Sequence, residues 1–189
     1  MRRDATAYAP ASIALHWAIA LILFASFPLG LYMVGLPLSP LKLRLYSYHK
    51  WAGVTVFLLL AARIAFRFAH GVPAPLPMPR WQQVLASATH LLLYALLIAV
   101  PVTGWLFSSA AGFQTVYFGL LPIPDAIGRD KALAEALRFA HRFLDYTLAA
   151  AVAVHLAGVL KHQLIDRDAL LARMLPGGGA WPVRRGPDA

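Results

Sequence analysis

Four long apolar stretches constrain this chain more than any other feature. They run over about Ile13–Val34, His49–Phe68, Val84–Phe107 and Phe139–Leu160. A helix needs roughly 20 mostly apolar residues to cross a hydrocarbon core of about 30 Å. Within lipid the backbone must satisfy its own hydrogen bonds, so spans of this kind fold as helices. The breaks carry turn chemistry: Pro37-Leu38-Ser39-Pro40, the proline-rich Val72 to Pro79, and Leu121-Pro122-Ile123-Pro124-Asp125. Pro28 and Pro101 fall inside spans, where membrane helices tolerate them as kinks. Hydrophobic residues make up 60% of the chain and charged ones 13%, with a mean hydropathy of +0.63. Soluble domains run at about 45–50% apolar, so too little polar surface remains here to keep the chain dispersed in water.

The expected fold is an all-α, integral membrane four-helix bundle. One domain covers residues 1–176, and a Gly-, Pro- and Arg-rich flexible tail covers 177–189. Ala126–Leu137 alternates charges with Ala, Ile and Leu and is expected to form a separate short surface helix before the fourth span. The apolar run after Met1-Arg2-Arg3 exceeds the usual 7–15 residues of a signal peptide and lacks a small-residue cleavage site. It is therefore expected to be the first span.

An even number of spans puts both termini on one side. Ten basic residues fall on that side, from Arg2 and Arg3 to Arg184 and Arg185, and seven on the other, from Lys42 to Arg142. The bias favours both termini in the cytoplasm. Trp17, Tyr46, Tyr48, Trp51 and Trp81 lie where interfacial aromatic belts are expected. The net charge of +9 is dispersed between the spans. It suits topology and anionic headgroups in the lipid bilayer rather than nucleic acid.

Histidines are the chemistry-bearing residues of the apolar runs. His141, His155 and His162 are spaced by fourteen and seven residues and so share one helical stripe, with Leu148 between the first two. Fourteen residues carry a helix about 21 Å, most of the way across a bilayer. His49 opens the second span on the side where His141 opens the fourth. His16 opens the first span on the side where His155 lies deep in the fourth. His90 opens the third span on that same side. A lone interfacial histidine is more often a packing or headgroup residue than a ligand. Two pairs at matched depths are different, because intramembrane ionisable residues are costly and default to function.

The chain has no cysteine, which excludes disulfides, thiolate metal sites, Fe–S clusters and covalent c-type haem. Zinc normally takes at least three protein ligands near one point. Haem fits better. It is apolar over most of its area, and two neutral imidazoles fill both axial positions of its iron. Two haems b are therefore expected inside the bundle, ligated by His49 with His141 and by His16 with His155. With both axial positions filled, the expected work is electron transfer. Arg63 lies fourteen residues after His49 on the same face, near the depth of His155, and could hold a haem propionate. Gly53, one turn after His49, leaves room for a flat ring.

The stretches Ile13-Ala14-Leu15-His16-Trp17, Tyr48-His49-Lys50-Trp51-Ala52-Gly53 and His90-Leu91-Leu92-Leu93-Tyr94, with Pro101 and Gly104, resemble the bacterial cytochrome b561 family. So do His141, His155 and His162 followed by Arg173-Met174-Leu175-Pro176. The resemblance runs from about Ser12 to Pro176. It implies a four-helix bundle with two b-type haems in the inner membrane, its axial ligands falling on His16, His49, His141 and His155. It also implies electron exchange with ubiquinone, and one branch of the family is a superoxide oxidase. Lys42, Arg44, Lys50, Arg129, Lys131, Arg138 and Arg142 surround the outer site and would draw in an anion such as superoxide, although Asp125, Asp130, Glu135 and Asp145 offset much of that charge. On the cytoplasmic side His162 and His90, with Arg67, are candidates for binding the quinone head and delivering protons.

The expected function is superoxide:ubiquinone oxidoreduction, or quinone-linked electron transfer from another outer electron donor. One alternative is a cytochrome b anchor and relay subunit for a separate dehydrogenase partner such as a hydrogenase, against which the short loops argue mildly. Another is a haem-free transporter or scaffold, which an optical spectrum would separate.

Overall fold

The computed structural model describes residues 8–168 and 170–177. The expected tail beyond Gly177 and four of the basic residues counted for topology, Arg2, Arg3, Arg184 and Arg185, lie outside the described residues. Four long helices dominate: α1 (Pro10–Gly35), α2 (Pro40–His70), α3 (Arg80–Ala110) and α4 (Lys131–Lys161). All four are long and apolar enough to cross a membrane. Large apolar side chains point outward all along them, Phe24, Leu31, Leu91 and Phe143 being more than half exposed. That is the surface a bilayer requires and water would penalise.

The helices outrun the apolar stretches that announced them. Helix α2 begins at Pro40 rather than at His49, because Ser39 caps it, its hydroxyl accepting from Lys42 N at 3.3 Å, and Pro40 suits the first helical position. Lys42 Nζ reaches back to Leu36 O at 2.6 Å, tying the start of α2 to the end of α1. Helix α4 likewise begins at Lys131, where the Asp130 carboxylate accepts from Leu133 N at 3.0 Å. The separate surface helix expected over Ala126–Leu137 does not form. Residues 126–130 are non-helical, and Lys131–Leu137 is the first part of α4. No breaker separates Lys131 from Phe139, so a capped helix simply continues. Its exposed start carries an Arg138–Glu135 ion pair.

A second feature was not expected from the sequence. Between α3 and α4 lies a two-stranded antiparallel hairpin, β1 (Thr115–Tyr117) with β2 (Leu121–Ile123). Its turn is made by Phe118 and Gly119 at φ of 50° and 73°. Trp51 Nε1 donates to Val116 O at 2.7 Å, Lys50 Nζ to Phe113 O at 2.8 Å, and the Thr55 and Tyr117 hydroxyls meet at 2.9 Å. These bonds seat the hairpin on α2 at one end of the bundle, called here the hairpin end.

The other end gathers the described N-terminal residues, the α2–α3 loop and the C-terminal segment. Trp17 Nε1 donates to Met174 O at 2.6 Å, and Arg173 Nη1 donates to Ala74 O at 2.8 Å. After α4 the chain tightens into a π-turn over His162–Asp166. In sequence order each helix packs on the next, whereas α1 and α4 approach each other only sparsely. Between the two ends lies an apolar middle. One cluster centres on Ile19, Val56 and Leu60, the other on Leu96, Leu148 and Ala151. Leu148 is buried there, between His141 and His155 as its place on the stripe predicts.

Candidate functional site

The histidines form two tiers. At the hairpin end the rings of His49 on α2 and His141 on α4 have centroids 6.3 Å apart, at 86° to each other. At the terminal end His16 on α1 and His155 on α4 are also 6.3 Å apart, at 70°. Fourteen residues of α4 separate the tiers, about 21 Å. None of the four histidines opens its helix. All lie well inside, because α1 starts at Pro10, a residue suited to the first turn, and the capped starts of α2 and α4 lengthen them beyond their apolar cores.

The equal spacing can be tested against haem. Two imidazoles ligating one metal from opposite sides each place a nitrogen about 2 Å from it, and the ring centre lies about 1.1 Å further, so centroids stand about 6.3 Å apart. Both pairs fit. The chemistry of the donor set fits too, since each tier offers a pair of imidazole nitrogens from two helices.

At the hairpin end the ring orientations are supported from behind. His141 Nδ1 lies 3.0 Å from Val100 O and 3.3 Å from the Thr103 hydroxyl. A carbonyl only accepts, so Nδ1 carries the proton and Nε2 presents a lone pair. His49 Nδ1 is 3.1 Å from Ser26 Oγ. Two glycines make room for the rings. A Cβ on Gly104 would stand 2.9 Å from His141 Cε1, and one on Gly30 would stand 3.2 Å from His49 Cε1. Gly53, expected to make space for a flat ring, instead faces α3: a Cβ there would meet Pro101 Cβ at an ordinary 3.9 Å. Asp145, one turn after His141, places Oδ2 3.3 Å from His141 Nε2.

The terminal tier is built differently. His90 on α3 joins it, its ring centroid 5.3 Å from that of His155, closer than one shared metal ion would hold two axial rings. Arg63 lies within electrostatic reach of His16, His90 and His155. Its Nη1 donates to Ser12 O at 2.7 Å, and its Nε to the Tyr94 hydroxyl at 3.4 Å. His162 keeps other company. It is buried, with Nδ1 2.6 Å from Asp168 and 3.2 Å from Asp166. The two histidines considered together for quinone thus have different immediate neighbours. His70 stacks on Phe66 at 3.9 Å, its Nδ1 3.2 Å from the Phe66 carbonyl, and belongs to neither tier.

Sequence reasoning missed Ser26, Gly30 and Thr103 as supports of the hairpin tier. The available signal was a hydroxyl or glycine interrupting an apolar run, which in a membrane helix needs a reason.

A membrane four-helix bundle with paired histidines at two depths defines a class, the multi-helix b-type cytochromes that move electrons through a bilayer. The family model described as prokaryotic cytochrome b561 matches residues 7–177, so the chain belongs to that family. "Cytochrome b561 homolog 2" of Escherichia coli (strain K12) is 33% identical over 170 residues, covering 89% of this chain and 90% of the relative. "Cytochrome b561 homolog 1" of the same organism is 28% identical over 176 residues, covering 89% and 97%. A protein of Yersinia pestis named "Probable superoxide oxidase CybB" is 26% identical over 180 residues, covering 89% and 96%. Membership makes this a multi-pass membrane protein of transmembrane electron transfer, with b-type haem as its cofactor.

Proposed function

We propose that the chain carries single electrons between an outer one-electron donor and quinone, using two b haems: one held by His49 and His141, the other by His16 and His155. The observation that carries this reading is the common 6.3 Å separation of both histidine pairs, which matches one metal between two axial imidazoles. Bound haem supplies one-electron chemistry, its iron cycling between ferric and ferrous. The histidines hold the two groups about 21 Å apart along α4. Leu148, Leu96 and Val56 keep the space between them dry. Arg63, held by Ser12 and Tyr94, would face a propionate at the terminal tier.

The hairpin end is read as the outer face, on the excess of basic residues at the termini. Superoxide is the donor we favour. The named Yersinia pestis relative supports it. Lys50, next to His49, and Arg129, packed under Gly112, put positive charge at the hairpin end. Such charge raises the local concentration of a small anion. Two superoxide ions each lose one electron to become dioxygen, and ubiquinone takes up those two electrons with two protons to become ubiquinol. At the terminal end His90 and His162 are the proposed quinone residues, His162 exchanging protons through Asp168, 2.6 Å away.

Two measurements test the reading. Purified protein should show a reduced b-type α-band and two haem equivalents; absence of the band ends it. A stopped-flow superoxide pulse with ubiquinone present should reduce the haem and then yield ubiquinol. No response would remove superoxide and leave the generic carrier.

A further inference from the structure

We infer that the two tiers differ in redox potential, and that Ser26, Thr103, the Val100 carbonyl and Asp145 make the hairpin tier the harder of the two to reduce. This rests on the reading above, in which each histidine pair holds a haem.

The supports behind the imidazoles differ. His141 Nδ1 donates to Val100 O at 3.0 Å and lies 3.3 Å from Thr103 Oγ1. The Thr103 hydroxyl spends its own proton on Ala99 O at 2.8 Å or Val100 O at 2.9 Å, so towards His141 it offers a lone pair. His49 Nδ1 has Ser26 Oγ at 3.1 Å, and with Nε2 reserved for iron the proton sits on Nδ1 and Ser26 accepts it. An imidazole whose N–H is held by an acceptor is a more basic ligand. Stronger donation favours ferric over ferrous iron. Asp145 acts in the same direction. Its carboxylate, 3.3 Å from His141 Nε2, favours the oxidation state with the extra positive charge, and a low-dielectric interior screens it weakly.

At the terminal tier neither His16 nor His155 has a ring-nitrogen hydrogen bond among the described residues, and no carboxylate pairs with either. Their charged neighbour is the Arg63 guanidinium. A cation favours the ferrous state. Lys50 at the hairpin end acts in the opposite sense, but its ammonium is bound to Phe113 O in the loop, whereas Asp145 faces the His141 ring. The groups that face the rings share one sign, so an electron entering at the hairpin end moves downhill towards the terminal end. Bis-histidine ligation alone gives no direction. The groups around it do.

Potentiometric titration of the haem-loaded protein, followed optically and by electron paramagnetic resonance, tests this. Two separate midpoints are expected. Ser26→Ala, Thr103→Val and Asp145→Asn should each raise the lower midpoint and leave the upper one in place, with two haems retained. Thr103→Ser should restore the wild-type value. Arg63→Gln should lower the upper midpoint. Two haems with coincident midpoints, or substitutions that move the upper midpoint instead of the lower, overturn the ordering alone. A haem count below two in the wild-type protein overturns the underlying reading and this one with it.

Discussion

The two ends of the bundle hold histidine pairs at the same ring separation and build them by opposite means. At the hairpin end the rings are wedged. Gly30 and Gly104 yield the space, Ser26, Thr103 and Val100 hold the outward nitrogens, and a hairpin pinned by Lys50 and Trp51 closes the top. At the terminal end no glycine among the described residues crowds a ring, a third histidine joins, and Arg63 supplies charge. The lesson is that equal ring separation need not mean equal surroundings. One tier is specified by steric fit and hydrogen bonds to its rings, the other by electrostatics.

The largest expected effect breaks the pairs themselves. His155→Ala should remove about one haem equivalent by pyridine haemochrome assay, and His141→Ala should remove the other. Retention of both haems in either variant would refute the pairing. Next comes the steric asymmetry. Gly104→Ala puts a Cβ 2.9 Å from His141 Cε1, so α3 or the ring must shift. Hairpin-tier haem should be lost or its spectrum altered, while Gly30→Ala, at 3.2 Å, should do less. Gly53→Ala faces only an ordinary contact and serves as the control.

Between the tiers, Leu148→Ala removes a buried side chain and should cost about 2–5 kcal/mol of stability, read as a lower Tm in detergent. Both haems should stay in place, since no ligand is touched. Ser39→Ala deletes the cap of α2 and should cost about 1 kcal/mol, without a change in haem content. The smallest effect belongs to His70→Gln. His70 lies outside both tiers, so haem count and midpoints should match the wild type. Any shift in either would extend the terminal tier to the end of α2.

Much of this was legible in the chain. The four spans, the stripe His141–Leu148–His155 and the two cross-helix pairs follow from apolar run length and helical periodicity, both of which are local. Helix boundaries followed less well. Apolar runs mark where lipid begins, whereas Ser39-Pro40 and Asp130 mark where helices begin, and the two differ by several residues. The hairpin at 115–123 was hidden because its proline-containing strand reads as a turn and its seat is made by residues of α2 and α3 far away in sequence. The supports of His49 and His141 were hidden for a related reason. Ser26 and Thr103 sit on other helices, and no spacing along one helix reveals what faces it from the next.

The sequence by itself determined that this chain crosses a membrane, that its reactive side chains are imidazoles, and that they occur at two depths. Those facts depend on composition and on a period of 3.6 residues. Only the tertiary structure decided which ring nitrogens are hydrogen-bonded, that His90 joins the terminal tier while His162 turns to Asp168, and that one pair is wedged while the other is charged. Apart from the local contact of His162 with Asp168, those facts depend on how the four helices meet one another, and contacts between helices are set by packing in three dimensions, which no single helix encodes.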